Sequence, residues 1–525
     1  MLSLALVGEL IQLPMLLLCS VGAFFQARGK HSSGLLRIQV FGFIALSSVS
    51  VSLLIAAEPK TNVSEGASRP ALQAPLADAA EARNWLLLTK LLSQDMDIDQ
   101  SQADGMTALH WAVYHNNSEA VANLLRRKAN VNAATRYQVT PLAIACTQTQ
   151  TSSLKLLLEA GADVEFRSPG GETPLMIASR TGNAESVKQL LAYKVSHQAT
   201  DRNDQTALMW AASAGNLDVV DVLLQAGVDL DAATSFGLTA MMFAARDGRI
   251  EVVRRLIAAG VDVNAVIDST KKGERVARDK TSALVFAVES GHYELAMELI
   301  SAGADPNDQR NGFTCLHVVS WVRKPNSGDD ANGDPPPRGS GNLSDLEFVR
   351  AIVAAGADVN ARLKSGFGGR AILNPRGAAP LLYAARTADV PLMKVLVELG
   401  ADPLVPNSEG TTPLMAAAGV GVRAVNEEAG TEPEVVEAID YLVSLGADVN
   451  TIDENQETAI HGAAYRNFPR VVDRLAYHGA DPKSWNHKNK SGWTPIMIAE
   501  GQRPGSFKPS PETVAALRAA MTERE

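Results

Sequence analysis

Nine histidines and three cysteines are the residues of this 525-residue chain best suited to hold a metal or to start nucleophilic chemistry. Such sites need their groups at spacings that bring them to one point, as in a His-Glu-x-x-His helix or a Cys-x-x-Cys pair. Neither spacing occurs. His110, His317 and His461 each stand fourth in a Thr-x-x-His opening, His292 follows a Gly, His478 precedes Gly-Ala-Asp, and His31, His115, His197 and His487 are scattered. Cys146 and Cys315 sit in distant apolar runs and read as small buried hydrophobes. Cys19 follows a Leu run but lacks the small preceding residue and upstream basic residue of a lipidation site. Gly419-Val420-Gly421 begins a phosphate-loop pattern, yet no strand signal precedes it and Ala424 replaces the third Gly. With no Gly-x-Ser-x-Gly elbow, no Cys-x-x-Cys-His and no evident catalytic carboxylate pair, the chain reads as non-enzymatic, with no metal and no cofactor.

The organisation lies instead in a recurrence. Thr107, Thr140, Thr173, Thr206 and Thr239 are spaced by 33 residues. Two places after each comes Leu109, Leu142, Leu175, Leu208 or Met241, and five places after comes Ala112, Ala145, Ala178, Ala211 or Ala244. A Thr at a helix N-cap accepts from an orphan backbone N–H, and Pro suits the next place, where Pro141, Pro174, Pro380, Pro413 and Pro495 stand. The Ala thins one helix face so that a neighbouring helix can approach closely. A second apolar stripe, from Leu124-Leu125 to Leu256-Ile257, predicts a second and longer helix. It should end at Gly161, Gly227, Gly260, Gly303, Gly356, Gly400, Gly446 and Gly479, where a left-handed residue is needed. Lys128 and Lys194 occupy the same phase, which predicts looser or differently shaped ends there.

Thr107 to His110, Gly291-His292, Leu157-Leu158 and Gly446 to Asn450 together resemble the ankyrin-repeat pattern, and the phased match extends over about 450 residues. The resemblance implies an all-α solenoid of about twelve helix-turn-helix units with projecting β-turn or hairpin loops. Eleven units end near Asp95, Lys128, Gly161, Lys194, Gly227, Gly260, Gly303, Gly356, Gly400, Gly446 and Gly479, and a last pair runs from Thr494 to Met521. One such pair cannot cover its own apolar face, so stability must come from stacking on neighbours. The resemblance also implies that His110, His317, His461, His292 and His478 serve local hydrogen bonds.

The array is assigned to residues 76–525, with insertions near 269–279, 324–344, 362–378 and 419–433. Residues 58–75 form an Ala/Pro/Ser-rich linker, and residues 1–57 contain two apolar runs separated by Arg28, Lys30 and Arg37. The second run reads either as a secretory signal or as a membrane anchor, with the basic stretch cytoplasmic. Both place the repeats outside the cytoplasm, in a periplasm, secreted, or tethered to a membrane.

Ankyrin-type repeats leave free the loop tips before the opening Thr and the end of the first helix. Those places hold Arg136, Arg202, Arg278, Arg310 and Lys490 at the tips, and Arg180, Arg246, Arg386 and Arg466 at the helix ends. Aromatics join them as Tyr114, Tyr137, Phe236, Trp321 and Tyr465, whereas Trp111, Trp210, Phe243, Phe286 and Tyr383 fall at stacking positions. The whole chain carries −10, and the part beyond the first sixty residues carries −12, so a basic stripe on an acidic body suits a protein partner with an acidic surface. An Arg at a tip is equally able to pair with its neighbour, as Asp201-Arg202 invites. The acidic balance and export argue against nucleic acid. The function read from the sequence is protein binding through a concave groove. The alternatives are a membrane-tethered scaffold for several envelope proteins, or an enzyme whose chemistry sits in the inserts.

Overall fold

The computed structural model describes residues 74–268, 279–325, 336–364, 373–422, 425, 428–503 and 508–522. Residues 1–57, nearly all of the linker, Arg278 and the middle of each insertion lie outside them. Among the described residues there are twenty-five helices and no strand, only isolated bridges at Ala233–Thr239 and Val266–Ser282. Setting aside the single turn Pro482–Trp485, the helices form twelve antiparallel pairs, from Pro75–Glu81 with Trp85–Leu92 to Pro495–Ala499 with Pro511–Thr522.

The local chemistry explains each pair. Thr140, Thr173, Thr206, Thr239, Thr412 and Thr494 accept from the backbone N–H three residues on at 3.2–3.4 Å, satisfying one orphan donor each. The small residues Ala112, Ala145, Ala178, Ala211 and Ala244 are at most 1% exposed, and within each unit first helix packs on first helix, Ala108–Tyr114 on Pro141–Cys146 in one and Ala207–Ala214 on Ala240–Arg246 in the other. Of each Leu-Leu pair the leading residue is sealed, as Leu124, Leu157, Leu190, Leu223 and Leu256.

Lys128 and Lys194 correct the sequence expectation. Both adopt the left-handed conformation, φ 65° and 58°, that glycine takes at the other ends. The Ala129 N–H reaches back to the Leu124 carbonyl at 3.1 Å, the same closure that Ala162 makes to Leu157 at 3.0 Å, and that closure dictates the conformation whichever residue occupies the place.

The Asn that ends each Gly-Ala-Asp-Val-Asn run does more than turn the chain. Asn360 donates its Nδ2 to the Gly400 carbonyl and accepts the Asp402 N–H, each at 2.9 Å, so one side chain ties a repeat to the next. Asn132, Asn264, Asn307 and Asn450 make the same pair of bonds to Gly161/Asp163, Gly303/Asp305, Gly356/Asp358 and Gly479/Asp481. At one junction Glu165 substitutes, accepting the Ser196 N–H at 2.7 Å.

Two compact units emerge. One comprises the chain up to Ile177 with Ala192–Arg202, the other Ala178–Leu191 with everything from Asn203 on. Within the second unit, first helices pack on first helices and second helices on second helices from Ala207 to the last pair. Its insertions return to the body. Leu363 and Ala378 pair at the base of one, N–H to carbonyl at 3.1 Å. The returning arm of another lies on the Gly291 turn, where Ser340 donates its N–H to His292 Nδ1 at 2.9 Å and Asn342 donates to Glu294 at 2.7 Å.

Candidate partner-binding face

In the first unit, the end of the first helix Ala108–Tyr114 carries a ring cluster. His115 stacks on Trp111 with centroids 5.8 Å apart, and Tyr114, 54% exposed, meets both rings edge-on. Gln102 buttresses the cluster, accepting from Trp111 Nε1 at 2.7 Å and donating to Asp78 and Glu81 at 2.8 and 2.6 Å. Burial, and after it the neighbouring Arg83, holds the His115 ring below the ordinary histidine range. Arg136 is exposed, but its Nε donates to the Ala103 carbonyl at 2.7 Å, so it links one loop tip to the previous tip. Arg202 is exposed and its backbone N–H bonds to the Gly170 carbonyl at 3.0 Å, while Tyr137 is half-buried.

In the second unit the corresponding residues divide. Exposed Arg180 lies over the half-buried ring of Trp210, 5.0 Å from its centroid. Asn216 holds that turn by donating to the carbonyls of Ser179 and Arg180 at 2.8 and 2.9 Å. Phe236 is 41% exposed at its tip. Arg246 covers the Phe243 ring and grips Asp247 with two bonds of 2.9 and 3.0 Å. Arg310 is tied likewise to Asp308, twice at 2.9 Å, and to the Asn264 carbonyl.

Four of the expected contact residues belong to internal packing. Trp321 meets Phe313 and Tyr383 edge-on at 5.0 and 6.0 Å, in an apolar cluster closed by Leu363, Leu373 and Ala416. Arg386 pairs with the buried Glu428 of an insertion. Tyr465 and Arg466, 1% and 2% exposed, leave the list of surface candidates outright. The Tyr465 hydroxyl donates to Glu457 at 2.5 Å and accepts from Asn489 at 2.8 Å, with Arg503 over its ring at 4.5 Å. Arg466 donates to the carbonyls of Glu428, Ala429 and Gly430, and burial lowers its guanidinium to about 10. An insertion is the physical reason: its described residues Val422 and Glu428 to Gly430 lie against the helix ends that the repeat pattern leaves open. Glu428, Glu457, Asn489 and Arg503 were not foreseen, because nothing in a single repeat signals which loop will fold back. Burial raises both Glu457 and Asp453 above the usual carboxylate range.

The Thr-x-x-His openings carry structure rather than reactivity. Thr314 Oγ1 donates to His317 Nδ1 at 2.7 Å, and Nε2 donates across to the Ala378 carbonyl at 3.2 Å. His461 bonds in the same way to Thr458 and the His487 carbonyl. Burial lowers these rings to about 4 and about 3, so both stay neutral near pH 7. His292, by contrast, holds an insertion, and His478 bonds Asp440 at 2.6 Å. Among the described residues no group of three His, Cys, Asp or Glu could hold a metal ion, and no helix is long and apolar enough to cross a membrane.

A family model for ankyrin repeats (3 copies) matches residues 76–168, 160–234, 241–324 and 428–508, more than half of the chain. The chain belongs to the ankyrin-repeat family. Over 175 residues it is 30% identical to human SH3 and multiple ankyrin repeat domains protein 2, covering 33% of this chain and 8% of that one. Over 129 residues it is 31% identical to alpha-latrocrustotoxin-Lt1a of Latrodectus tredecimguttatus, covering 24% and 9%. The chain thus spans less than a tenth of either relative's length. The human ASB11 ankyrin repeat domain superposes with a TM-score of 0.39 at 25% identity, covering 44% of this chain and 99% of that one. Ankyrin repeats are, as a class, protein-interaction modules. The ankyrin loop tips and first-helix ends that stay exposed here are Tyr114, Arg136 and Arg202 in one unit and Arg180, Phe236, Arg310 and Lys490 in the other.

Proposed function

We propose that this ankyrin-repeat chain is a non-enzymatic binding module that holds an acidic protein partner on the first-helix ends and loop tips of its uninterrupted repeats. The observation that carries the reading is the contrast within the second unit. The Arg180–Trp210 pair stays accessible, whereas the same repeat positions further on are covered by the chain's own insertions. A surface already formed before binding loses little conformational freedom on association. Residues 1–57, with two apolar runs around Arg28, Lys30 and Arg37, support a location outside the cytoplasm for the repeats, secreted or tethered.

Affinity capture with the full chain, read by mass spectrometry, tests the binding role. Arg180→Glu combined with Trp210→Ala should leave thermal unfolding nearly unchanged and abolish capture of the partner, while capture at wild-type level refutes this face. A phosphatase fused after residue 75, active only when exported, tests the location: an inactive fusion that is stably made overturns it.

A further inference from the structure

The returning arm of one insertion covers the ends of two first helices in the second unit, and a single histidine holds it there. In repeats that carry no insertion the turn after the first helix is half-buried, as at Asn116-Asn117 and Gly215-Asn216. At Gly291-His292 the same two places are buried, beneath arm residues 336–342 that are themselves exposed. The fit is tight. A Cβ on Gly339 would meet the Gly291 carbonyl oxygen at 1.8 Å, and one on Gly248, in the preceding turn, would meet the Ser340 hydroxyl at 2.8 Å.

The Ser340 N–H and hydroxyl both lie 2.9 Å from His292 Nδ1, and the Asn342 N–H donates to Glu294 at 2.7 Å. The state of that ring nitrogen is fixed from the other side of the ring. Asn216, Arg249 and His292 stand ten places after their opening residues Thr206, Thr239 and Ser282, and each donates to a carbonyl at the end of the preceding first helix. Asn216 serves Ser179 and Arg180, Arg249 serves Ser213, and His292 Nε2 serves Arg246 at 3.1 Å. With its proton on Nε2, the neutral ring offers Nδ1 as a lone pair, which the Ser340 amide uses. A second proton ends that bond. Both ring nitrogens then donate whichever way the ring turns, and a backbone N–H, unlike the hydroxyl, cannot reverse its role.

The charges around the ring are largely spoken for, so burial sets the direction of its titration. Burial holds His292 below the ordinary histidine range, with Arg249 acting the same way and the Arg246 carbonyl and Asp247 opposing. Asp247 is gripped by Arg246 and accepts the Ser213 hydroxyl. On the second helices packed to either side, Glu251 pairs with Arg254 and Asp345 with Arg323. Glu289 ends the first helix before the turn, Glu294 lies on the ring's own helix and Arg338 on the arm. A ring freed of the arm returns towards 6.5 and takes the proton more readily, so docking is complete above that pH and is lost as pH falls through the lowered value.

We infer that the arm is an acid-released cover: protonation of His292 frees Gly339–Asn342 from the turn and uncovers the first-helix ends at Gly248 and Gly291. The inference goes beyond the proposed binding role and holds whatever occupies that face.

Amide hydrogen exchange on the full chain, read by mass spectrometry at single-residue resolution with labelling times scaled to the intrinsic rate at each pH, tests the release. Between pH about 7.5 and about 5 the Ser340 amide should lose protection by at least about ten-fold along a one-proton curve, the scale of a single pKa unit. The helix Asp345–Ala354, directly after the arm, should keep its protection throughout. His292→Asn supplies the residue that the uncovered turns carry, keeps a donor for the Arg246 carbonyl and removes the proton site, so its Ser340 amide should show no such step. A parent chain whose Ser340 protection does not change, a step that persists in His292→Asn, or loss of protection in Asp345–Ala354 at the same pH overturns the inference.

Discussion

Two stretches of the second unit use one repeat pattern to opposite ends. From Ala207 to Gly260 the hairpins are uninterrupted, and their openings carry Met209 and Met242 in the fourth place. From Cys315 to Arg503 the openings carry His317 and His461 and the helix ends hold insertions, so Tyr465 and Arg466 become buried while half-buried Trp321 and Arg386 pack against inserted residues. Position within the repeat therefore determines where a side chain points. What meets it there depends on chain segments that the repeat does not encode.

The largest test of that contrast compares two aromatics that the sequence placed in the same class. Tyr465→Ala removes a sealed ring and its bonds to Glu457 and Asn489 and should cost roughly 3 to 5 kcal/mol in denaturant unfolding. Phe236→Ala, at an exposed tip, should stay within about 0.5 kcal/mol. Similar costs at both sites would erase the distinction.

Next in size is acid sensitivity, which belongs to the histidine-bearing stretch. The folded His317 ring is lowered to about 4 while an unfolded one titrates near 6.5. Its unfolded form thus binds the extra proton, so the stability present above pH 6.5 is lost as pH falls towards 4, by about 3 kcal/mol in all. His317→Met, which copies the opening of the uninterrupted stretch, should flatten the stability profile in that window. A profile as steep as that of the parent chain would show that other groups govern acid unfolding.

A smaller effect should be common to a junction with no insertion and one that flanks an insertion. Asn132→Ala, in the first unit, and Asn360→Ala, in the second, each orphan a Gly carbonyl and an Asp N–H of the next repeat and should cost about 1 to 3 kcal/mol apiece. Unequal costs would mean that the insertions alter even the junctions. Smallest is Lys128→Gly, which relieves a left-handed lysine and should stabilise by at most about 1 kcal/mol, offset in part by the greater freedom of glycine when unfolded.

Much of the architecture was legible from the sequence because its causes are local. A Thr cap, a Pro at the first helical place, a sealed Ala and a left-handed terminator act within a few residues of themselves, and Thr140, Pro141, Ala145 and Gly161 behave as their types require. The left-handed Lys128 escaped because the terminal closure outweighs a modest penalty on its residue. The candidate face was legible only in part. Exposure of Arg180, Arg202 and Phe236 follows from repeat phase, but burial of Tyr465 and Arg466 depends on Glu428 and Arg503, which are distant in sequence from the sites they complete. The tie between Asn360 and Gly400 likewise joins residues forty apart, so composition alone reads it as a turn.

That tie has an evolutionary corollary. Because each asparagine clasps only the repeat directly after it, and does so with the same two bonds wherever it occurs, a tandem duplication or excision of a whole 33-residue module would regenerate an intact seam. Gene length can drift in steps of one module, whereas a loss of a few residues at a seam would unfasten it.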